Sequence, residues 1–219
     1  MSEAAQFIQT LAIWAIPVLF AITVHEVAHG WVAWKRGDPT AMLMGRLTLN
    51  PIKHIDPFGT ILLPGILLLF HSPFLFGYAK PVPVNFGGLK DPKRDMVLVA
   101  IAGPAANLLM AFFWTLVLWL GGHLPGALAY LDEPMQLMGK AGILINVILI
   151  IFNLIPIPPL DGGRVAVGLL PPSASIALSR IEPYGFIILI LLLFTGVLWS
   201  VLGPLFLMMS NFFLTMGGW

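Results

Sequence analysis

The chain is 219 residues long; 58% of its residues are hydrophobic, 10% are charged, and its mean hydropathy is +0.94. This composition excludes a soluble domain and is typical of an integral membrane protein. The sequence has no cysteine, which excludes disulfides and thiolate metal ligands, so a transition metal would need His, Asp or Glu. The net charge of +1, without a basic patch carrying interleaved aromatic residues, gives no sign of nucleic-acid binding.

The first apolar run, residues 11–34, reads LAIWAIPVLFAITVHEVAHGWVAW and is long enough to cross a membrane as a helix. We expect this helix to begin at about residue 5 and to tolerate a kink at Pro17. It contains His25, Glu26 and His29, although ionisable side chains inside a spanning helix are unfavourable unless they are paired, solvated or bound. These three residues therefore indicate a functional site within the membrane.

The spacing of these residues matches the HExxH pattern, in which two His bind zinc and the Glu acts as general base. Residues four apart lie on one face of a helix, so His25 and His29 can reach one ion while Glu26 can reach a water on it. In a soluble helix the same letters could be a chance match on an amphipathic face, but here the neighbours are Ile, Val, Ala and Trp. From the helical rise, His25 lies about 14 Å below the end of the helix at Trp34.

The segment after the first helix mixes turn residues with short apolar stretches. Residues 41–50 alternate loosely and predict a strand, and residues 50–60 form a turn-rich stretch that contains His54. The apolar run of residues 58–70 has a Pro-Gly pair in its middle and is too short to span comfortably, so we expect a re-entrant segment. Lys and Arg flank this run on both sides, which indicates that both loops are cytoplasmic.

The middle of the chain contains a proline-rich stretch and a second long apolar run. Residues 76–88 include Pro81 and Pro83, which forbid a central strand but allow an extended edge strand or a loop. Residues 96–120 predict a spanning helix that is interrupted near its start by a Gly-Pro pair and carries Asn107. The loop that follows has Asp and Glu but no Lys or Arg, which fits the outer side of the membrane.

The helix predicted over residues 141–155 ends in the motif NLIPIPPLDGGR. Its prolines stop the helix, so Asp161 is presented from a rigid break at the cytoplasmic side. Asp before two glycines is also a good helix N-cap, but we favour a metal ligand because the HExxH site lacks a third protein ligand. The uncharged run of residues 185–216 is too long for one span, and we expect Gly203-Pro204 to divide it into one full helix and a shorter one.

Together these elements predict an all-α polytopic membrane protein with about four to six membrane helices, a re-entrant segment and a small membrane-associated β element. We expect one integral membrane domain over residues 1–219, with a catalytic core at about residues 5–165 and C-terminal helices at about residues 184–216. In this topology ten of the eleven Lys and Arg residues lie on the cytoplasmic side, together with Asp161 and the end of the first helix.

Five motifs occur in an order that resembles the site-2 protease family of intramembrane zinc metalloproteases. They cover most of residues 11–164 and read HEVAHG, NPIKHIDPFGT, GYAKPVPVN, AGPAAN and NLIPIPPLDGGR. The resemblance implies that His25, His29 and Asp161 bind one zinc ion (Zn²⁺) per chain and that Glu26 is the catalytic base, in agreement with the spacing argument. The chain departs from some members of the family because it lacks an inserted PDZ domain.

The resemblance also implies roles for two residues that the sequence alone does not single out. Asn107 and His54 are expected to orient the substrate peptide or stabilise the tetrahedral intermediate, although Asn107 could be an interhelical hydrogen bond and His54 a capped loop residue. The implied reaction is hydrolysis of a peptide bond in or near the transmembrane segment of a membrane-protein substrate, as in regulated intramembrane proteolysis. The substrate must unwind locally, and an extended edge at residues 82–85 could hold it by strand addition, unless this stretch only connects two membrane segments.

Two other classes of protein share some of these features. A metal transporter also needs intramembrane His and Asp, but it usually spreads polar residues along a path, whereas this chain clusters them at one depth. A scaffold could keep a zinc site for structure, but two His and one Asp leave one coordination position open, which is the catalytic pattern. We therefore expect an enzyme in the plasma membrane of a prokaryote, with its active site toward the cytoplasmic side and no nucleic-acid partner.

Overall fold

The computed structural model describes residues 2–62, 66 and 80–219, and this part of the chain is mainly helical. Its eight α-helices are, in chain order, α1 (Glu3–Lys35), α2 (Thr40–Leu43), α3 (Pro92–Gly121), α4 (Asp132–Asn153), α5 (Asp161–Leu169), α6 (Pro172–Ser179), α7 (Glu182–Phe194) and α8 (Val197–Met216). Short 3-10 turns lie at Pro51–Lys53, Phe86–Gly88 and Gly126–Leu131, and a π-helical turn lies at Pro57–Leu62.

Four helical stretches in the described part are long and apolar enough to cross a membrane: Ala5–Lys35, Pro92–Gly121, Gly126–Asn153 and Val197–Met216. Helices α6 and α7 are bent by 65° relative to each other and would add a fifth crossing only as one broken span. The prediction of a multi-pass helical membrane protein is confirmed, at the lower end of the predicted four to six helices.

The centre of the bundle is formed by α3 and α4, with α8 packed against them. Their shared apolar cluster consists of Ala111, Trp114, Leu118, Ile143, Val147, Ile151 and Phe213. A glycine on α4 allows the close approach, since a methyl group on Gly139 would lie 2.8 Å from Cα of Leu118. Helix α1 packs against both α3 and α4, which brings the polar residues of α1 next to the centre of the bundle.

The strand predicted over residues 41–50 is wrong, and the described residues contain no β element at all. Thr40–Leu43 form one helical turn, and the residues after it pair with no strand. A local side-chain contact shapes this stretch instead, since Thr48 Oγ1 accepts a hydrogen bond from the Asn50 N–H at 3.2 Å. Thr and Asn side chains compete with a backbone ladder in this way, and a loose apolar alternation does not reveal the competition.

The predicted re-entrant segment over residues 58–70 lies only partly within the described residues. Its beginning, Pro57–Leu62, is a π-helical turn, and Asp56 Oδ1 accepts two backbone N–H groups at the start of that turn, at 3.0 and 2.7 Å. The rest of the segment, apart from Ile66, lies outside the described residues. The re-entrant path therefore stays a prediction.

Two helix boundaries differ from the predictions. Helix α4 begins at Asp132, well before the predicted start, and places Asp132 and Glu133 in its first turn, where acidic side chains favour the helix dipole. The break in the C-terminal run lies at Gly196 and not at Gly203-Pro204. Gly196 has a φ of 74°, a left-handed conformation that suits the end of α7, whereas membrane helix α8 accommodates Pro204 within its length.

A buried carboxylate ties the loop after α1 to the segment that follows residue 80. Asp38 is 1% exposed; its Oδ1 accepts from the backbone N–H and the hydroxyl of Thr40, and its Oδ2 accepts from the Asn85 N–H at 2.7 Å. Desolvation by burial would raise the pKa of Asp38, but these hydrogen bonds outweigh it and hold the pKa below its usual value. The ionised carboxylate therefore fixes the position of the segment relative to α1.

We expect Asp38→Asn to lower the free energy of unfolding by about 1.5–3 kcal/mol at neutral pH, because a charge-assisted hydrogen bond is lost and an amide NH₂ group can face the Asn85 N–H. Asp91→Asn is the control, since Asp91 caps α3 and Asn caps a helix equally well.

The pH dependence of this difference follows from the depressed pKa of Asp38. The contribution of Asp38 is fully present above its unfolded-state pKa and disappears as the pH falls through its folded-state pKa. Thermal unfolding in detergent between about pH 7 and pH 3 measures the difference in free energy of unfolding between wild type and Asp38→Asn. If this difference does not become smaller at low pH, the ionised Asp38 carboxylate is not its source.

Candidate functional site

His25 and His29 of α1 face the start of α5, where Asp161 lies. The Nε2 atoms of the two histidines are 3.0 Å apart, and each is 3.3 Å from Oδ2 of Asp161. His25 and Asp161 are buried and His29 is partly buried. The structure thus brings together the three residues that the sequence predicted as metal ligands, and they form a group that could hold a metal ion.

The other ring nitrogen of each histidine contacts a group that accepts a hydrogen bond. His29 Nδ1 lies 2.7 Å from the carbonyl oxygen of Val99 on α3, and His25 Nδ1 lies 2.6 Å from Oδ1 of Asn107. Both Nδ1 atoms must therefore carry a hydrogen, which leaves the Nε2 lone pairs directed at Asp161. Contacts of this kind fix the tautomer of His ligands in metal sites.

Three electron-rich atoms converge in this buried space, and the arrangement is repulsive without a positive charge between them. Oδ2 of Asp161 is buried and accepts no hydrogen bond from the described residues. Ligands at about 2.0–2.1 Å from a tetrahedral zinc ion are about 3.3 Å apart from one another. The observed separations of 3.0 and 3.3 Å agree with this spacing, so the donor set fits zinc.

Asp161 reaches this position because the chain breaks sharply before α5. Gly162 lies against the backbone that follows α4, and Gly163 lies against the prolines, where a methyl group would be 2.6 Å from Cα of Pro158. The alternative role of Asp161 as an N-cap is not observed, since Leu160 is the N-cap residue and no side chain caps α5. The glycines therefore allow close packing that directs the Asp161 carboxylate toward α1.

Gly103 of α3 lies directly beside the two histidines. A methyl group on Gly103 would be 2.5 Å from Cε1 of His25 and 2.6 Å from Cε1 of His29. Only a residue without a side chain leaves room for both rings next to α3. The glycine of the AGPAAN motif therefore belongs to the site, although the sequence indicated only a helix interruption there.

Glu26 lies next to the three potential ligands. Its Oε2 accepts a hydrogen bond from the backbone N–H of Val82 at 2.7 Å, which holds one end of the carboxylate. Glu26 also lines the cavity that contains the histidines and Asp161. A general base needs such a position, because it must reach a water molecule beside the metal.

The segment at residues 80–85 has no regular secondary structure, and its residues 81–84 line this cavity. Of the two alternatives for residues 76–88, an edge strand or a loop, the described part from residue 80 onward is a loop. The buried side chain of Val82 packs toward α1. The contacts that hold the segment are Lys80 N–H to His54 O (3.0 Å), Arg46 Nη2 to Lys80 O (2.8 Å), Val82 N–H to Glu26 Oε2 (2.7 Å) and Asn85 N–H to Asp38 Oδ2 (2.7 Å).

The cavity has a volume of about 370 Å³ and combines polar and apolar walls. Arg164, at the end of the NLIPIPPLDGGR motif, lines it, and its Nη2 lies 3.9 Å from Oε1 of Glu182. The Arg164 guanidinium lies 5.0 Å from the ring centre of Phe86, which also lines the cavity. The cavity is large enough for a short stretch of extended peptide.

Asn107 is completely buried and contacts His25 instead of the cavity. Its Oδ1 contacts His25 Nδ1, and its Nδ2 donates to the Ala21 carbonyl at 3.2 Å and to Asn146 Oδ1 at 2.8 Å. Both amide hydrogens are thus already used. The expected contact of Asn107 with substrate stays a prediction, and the interhelical hydrogen bond that we considered as an alternative is present.

His54 is 2% exposed and also lies outside the lining of the cavity. Its Nε2 contacts the carbonyl of Thr48 at 2.9 Å, and its own carbonyl accepts the Lys80 N–H at 3.0 Å. In this structure His54 therefore acts on the site indirectly, because its carbonyl helps to hold the segment at residues 80–85 in place. Its expected contact with substrate stays a prediction.

Several contributors to the site were missed from the sequence. The carbonyl of Val99 and the N–H of Val82 are backbone groups, which no side-chain pattern reveals. Asn146 is different, because a lone amide inside an apolar helix is a visible signal of an intramembrane hydrogen bond.

The chain is similar to a known family of membrane peptidases. It matches the model of peptidase family M50 over residues 13–138 and 127–196. YwhC of Bacillus subtilis strain 168, named as a zinc metalloprotease, is 45% identical over 195 residues, which cover 85% of this chain and 84% of YwhC. Rip2 of Mycolicibacterium smegmatis, also named as a zinc metalloprotease, is 32% identical over 90% of this chain and 71% of Rip2. No solved structure matches the chain.

The family match covers most of the chain, and the fold and the site agree with it. Four apolar helices suit a bilayer, and two histidines and one aspartate form a donor set that fits zinc. The chain therefore belongs to peptidase family M50, the site-2 protease family, and it is a multi-pass membrane zinc metalloprotease.

Proposed function

We propose that His25, His29 and Asp161 hold one zinc ion per chain and that Glu26 is the general base for hydrolysis of a peptide bond. The observation that carries this proposal is the convergence of two imidazole Nε2 atoms and one carboxylate oxygen at 3.0–3.3 Å, with both Nδ1 atoms contacting acceptors. Three protein ligands leave one coordination position for water or substrate, as in catalytic zinc sites and unlike structural ones.

Zinc, when bound, lowers the pKa of water at its open position to about 7 and polarises a substrate carbonyl. Glu26 takes the proton from the attacking water, and the Val82 N–H keeps one of its carboxylate oxygens in place while the other stays available. His25 and His29 keep their Nε2 lone pairs for the metal because Asn107 and Val99 accept from Nδ1.

We propose that the substrate is a membrane protein that is cut in or near a transmembrane segment. Two of the three proposed ligands, His25 and His29, lie inside α1, one of the helices apolar enough to span, and His25 is about 15 Å along the axis from the end of α1 at Lys35. Cleavage at this depth would release a part of the substrate from the membrane, as regulated intramembrane proteolysis does. A helical substrate must first unwind, because its own hydrogen bonds shield its carbonyl groups.

The segment at residues 80–85 is the candidate to hold the unwound substrate. The N–H of Val84 has no hydrogen-bond partner among the described residues, whereas the N–H of Val82 is occupied by Glu26. Val84 and the neighbouring carbonyls can therefore pair with an extended peptide lying in the cavity.

We also propose that residues 1–219 work as one domain in a prokaryotic plasma membrane, with the core at about residues 5–165 and the site toward the cytoplasm. The clusters of Lys and Arg support this orientation, and the relatives with the longest matches are bacterial. Single cysteines in this cysteine-free chain test it by one-sided labelling: positions 53 and 80 should react from one side and position 132 from the other.

The zinc ligands are tested by the double variant His25→Ala, His29→Ala. We expect it to lose zinc, because one carboxylate cannot hold the ion alone. His123→Ala is the control, since the exposed His123 contacts the Trp119 carbonyl away from the site. Metal analysis of the purified proteins measures the difference, and near-stoichiometric zinc in the double variant would contradict the proposed ligands.

The role of Glu26 is tested by Glu26→Gln, which keeps an oxygen for the Val82 N–H but cannot take up a proton. We expect cleavage of a membrane-anchored reporter by purified protein to fall by at least about 10²–10⁴-fold while zinc stays bound. Glu133→Gln, in the first turn of α4, is the control. Substantial turnover by Glu26→Gln would remove it from the role of base, and loss of zinc would make Glu26 a ligand.

The role of the segment is tested by Val84→Pro, which removes the free N–H. We expect kcat/KM to fall by up to roughly tenfold, since one hydrogen bond contributes about 0.5–1.5 kcal/mol, while zinc content stays unchanged. Val84→Ala is the control, because it shortens the side chain to a methyl group but keeps the backbone N–H. Normal cleavage by Val84→Pro would make the segment a connector.

A further inference from the structure

We propose that Asn146 of α4 is a positioning residue for His25 and that it acts through Asn107. The proposal rests on the proposed zinc ligands and extends them to a residue that touches none of them. The contacts that carry it, here named the amide relay, are His25 Nδ1 to Asn107 Oδ1 (2.6 Å), Asn107 Nδ2 to Asn146 Oδ1 (2.8 Å) and Asn146 Nδ2 to the Gly142 carbonyl oxygen (2.8 Å).

The amide relay has a single direction because it ends on backbone carbonyls, which can only accept hydrogen bonds. The Gly142 carbonyl requires the Nδ2 end of Asn146, so the Oδ1 end of Asn146 faces Asn107. This oxygen and the Ala21 carbonyl both require the Nδ2 end of Asn107, so Oδ1 of Asn107 faces His25. His25 must then donate from Nδ1 and keep its Nε2 lone pair for the metal.

Burial makes this direction strict. Asn107 and Asn146 are both 0% exposed, so water does not replace a lost partner. A reversed amide would place two donors or two acceptors against each other in an apolar environment, which is strongly unfavourable. Without Asn146, the direction of the Asn107 amide would be fixed only by the Ala21 carbonyl, a longer contact at 3.2 Å.

A positioning role and a purely structural role of Asn146 have different consequences. As an interhelical hydrogen bond between α3 and α4, Asn146 would add stability without changing how tightly zinc is held. As part of the amide relay, its loss allows Asn107 to turn and present Nδ2 to His25. That contact favours the tautomer with hydrogen on Nε2, the atom that must bind zinc.

The test compares zinc release from the full-length wild-type protein, Asn146→Ser, Asn146→Leu and Thr115→Val, each purified with zinc. In Asn146→Ser the new hydroxyl can still donate to the Gly142 carbonyl, as the Thr115 hydroxyl donates to the Ala111 carbonyl at 2.8 Å. The serine side chain is too short to reach Asn107. Thr115→Val is the matched control, because Thr115 is also a buried polar residue of a membrane helix and lies outside the amide relay.

We expect both Asn146 variants to release zinc into excess chelator faster than wild type, by up to about 10–100-fold, the loss of metal affinity that follows removal of a direct partner of a His ligand. The visible absorption bands of the cobalt(II)-substituted Asn146 variants should also shift, since the geometry around His25 changes. Thr115→Val should match wild type in both measurements. Circular dichroism and gel filtration show whether each variant is folded.

Wild-type release rates and cobalt spectra in folded Asn146 variants would overturn the positioning role, and so would equally fast release from Thr115→Val. Failure of both Asn146 variants to fold would also count against it, because Asn146 would then be structural. His25→Ala separates this result from a failure of the proposed function. If His25→Ala keeps its zinc, the ligand assignment is wrong; if it loses zinc while both Asn146 variants hold theirs as wild type does, only the amide relay is wrong.

Discussion

The convergence of three lone pairs inside an apolar helix bundle is the constraint on which the rest of the site depends. His25, His29 and Asp161 bring two nitrogens and one oxygen to 3.0–3.3 Å of one another at the wall of a largely buried cavity. The repulsion between these atoms is relieved when a positive charge lies among them, and the two rings keep their orientation when their Nδ1 atoms have partners. The contacts of both Nδ1 atoms with acceptors meet the second condition.

The surrounding elements can be understood from this requirement. Helix α3 approaches α1 at Gly103, where the missing side chain leaves room for both imidazoles and lets the Val99 carbonyl reach His29. The proline-rich turn before α5 directs Asp161 back toward α1. The segment at residues 80–85 supplies the Val82 N–H, which holds Glu26 beside the three ligands. Glu26 is not itself one of the ligands. Each of these elements supplies at least one polar group to a region where an unpaired polar group is unfavourable.

The sequence predicted the side chains of the site but not the backbone groups that orient them. HExxH was recognisable because helical spacing is regular and because ionisable residues are rare in spanning helices. Asp161 followed from the need for a third ligand, whereas the Val99 carbonyl and the Val82 N–H carry no sequence signal. In the fold, spanning helices were predictable from apolar length, but the strand over residues 41–50 failed because local Thr and Asn contacts formed instead. The sequence analysis placed the break in the C-terminal run at Gly203-Pro204 and not at Gly196, because proline was expected to end the helix and the left-handed conformation of Gly196 cannot be recognised in the sequence.

Helix α1 lies at the edge of the bundle, which gives the metal a mechanical role. Only 17% of the most apolar part of α1 is buried by the rest of the protein, against 44% for the stretch that contains α4, so α1 is much less enclosed than α4. The proposed ligands join this peripheral helix to Asp161, which is far away along the chain. A bound ion therefore acts as a crosslink that reduces the freedom of the two segments relative to each other, much as a disulfide closes a long loop. The chain has no cysteine to form a disulfide, so without metal at the proposed ligands α1 would be tied less tightly to the start of α5.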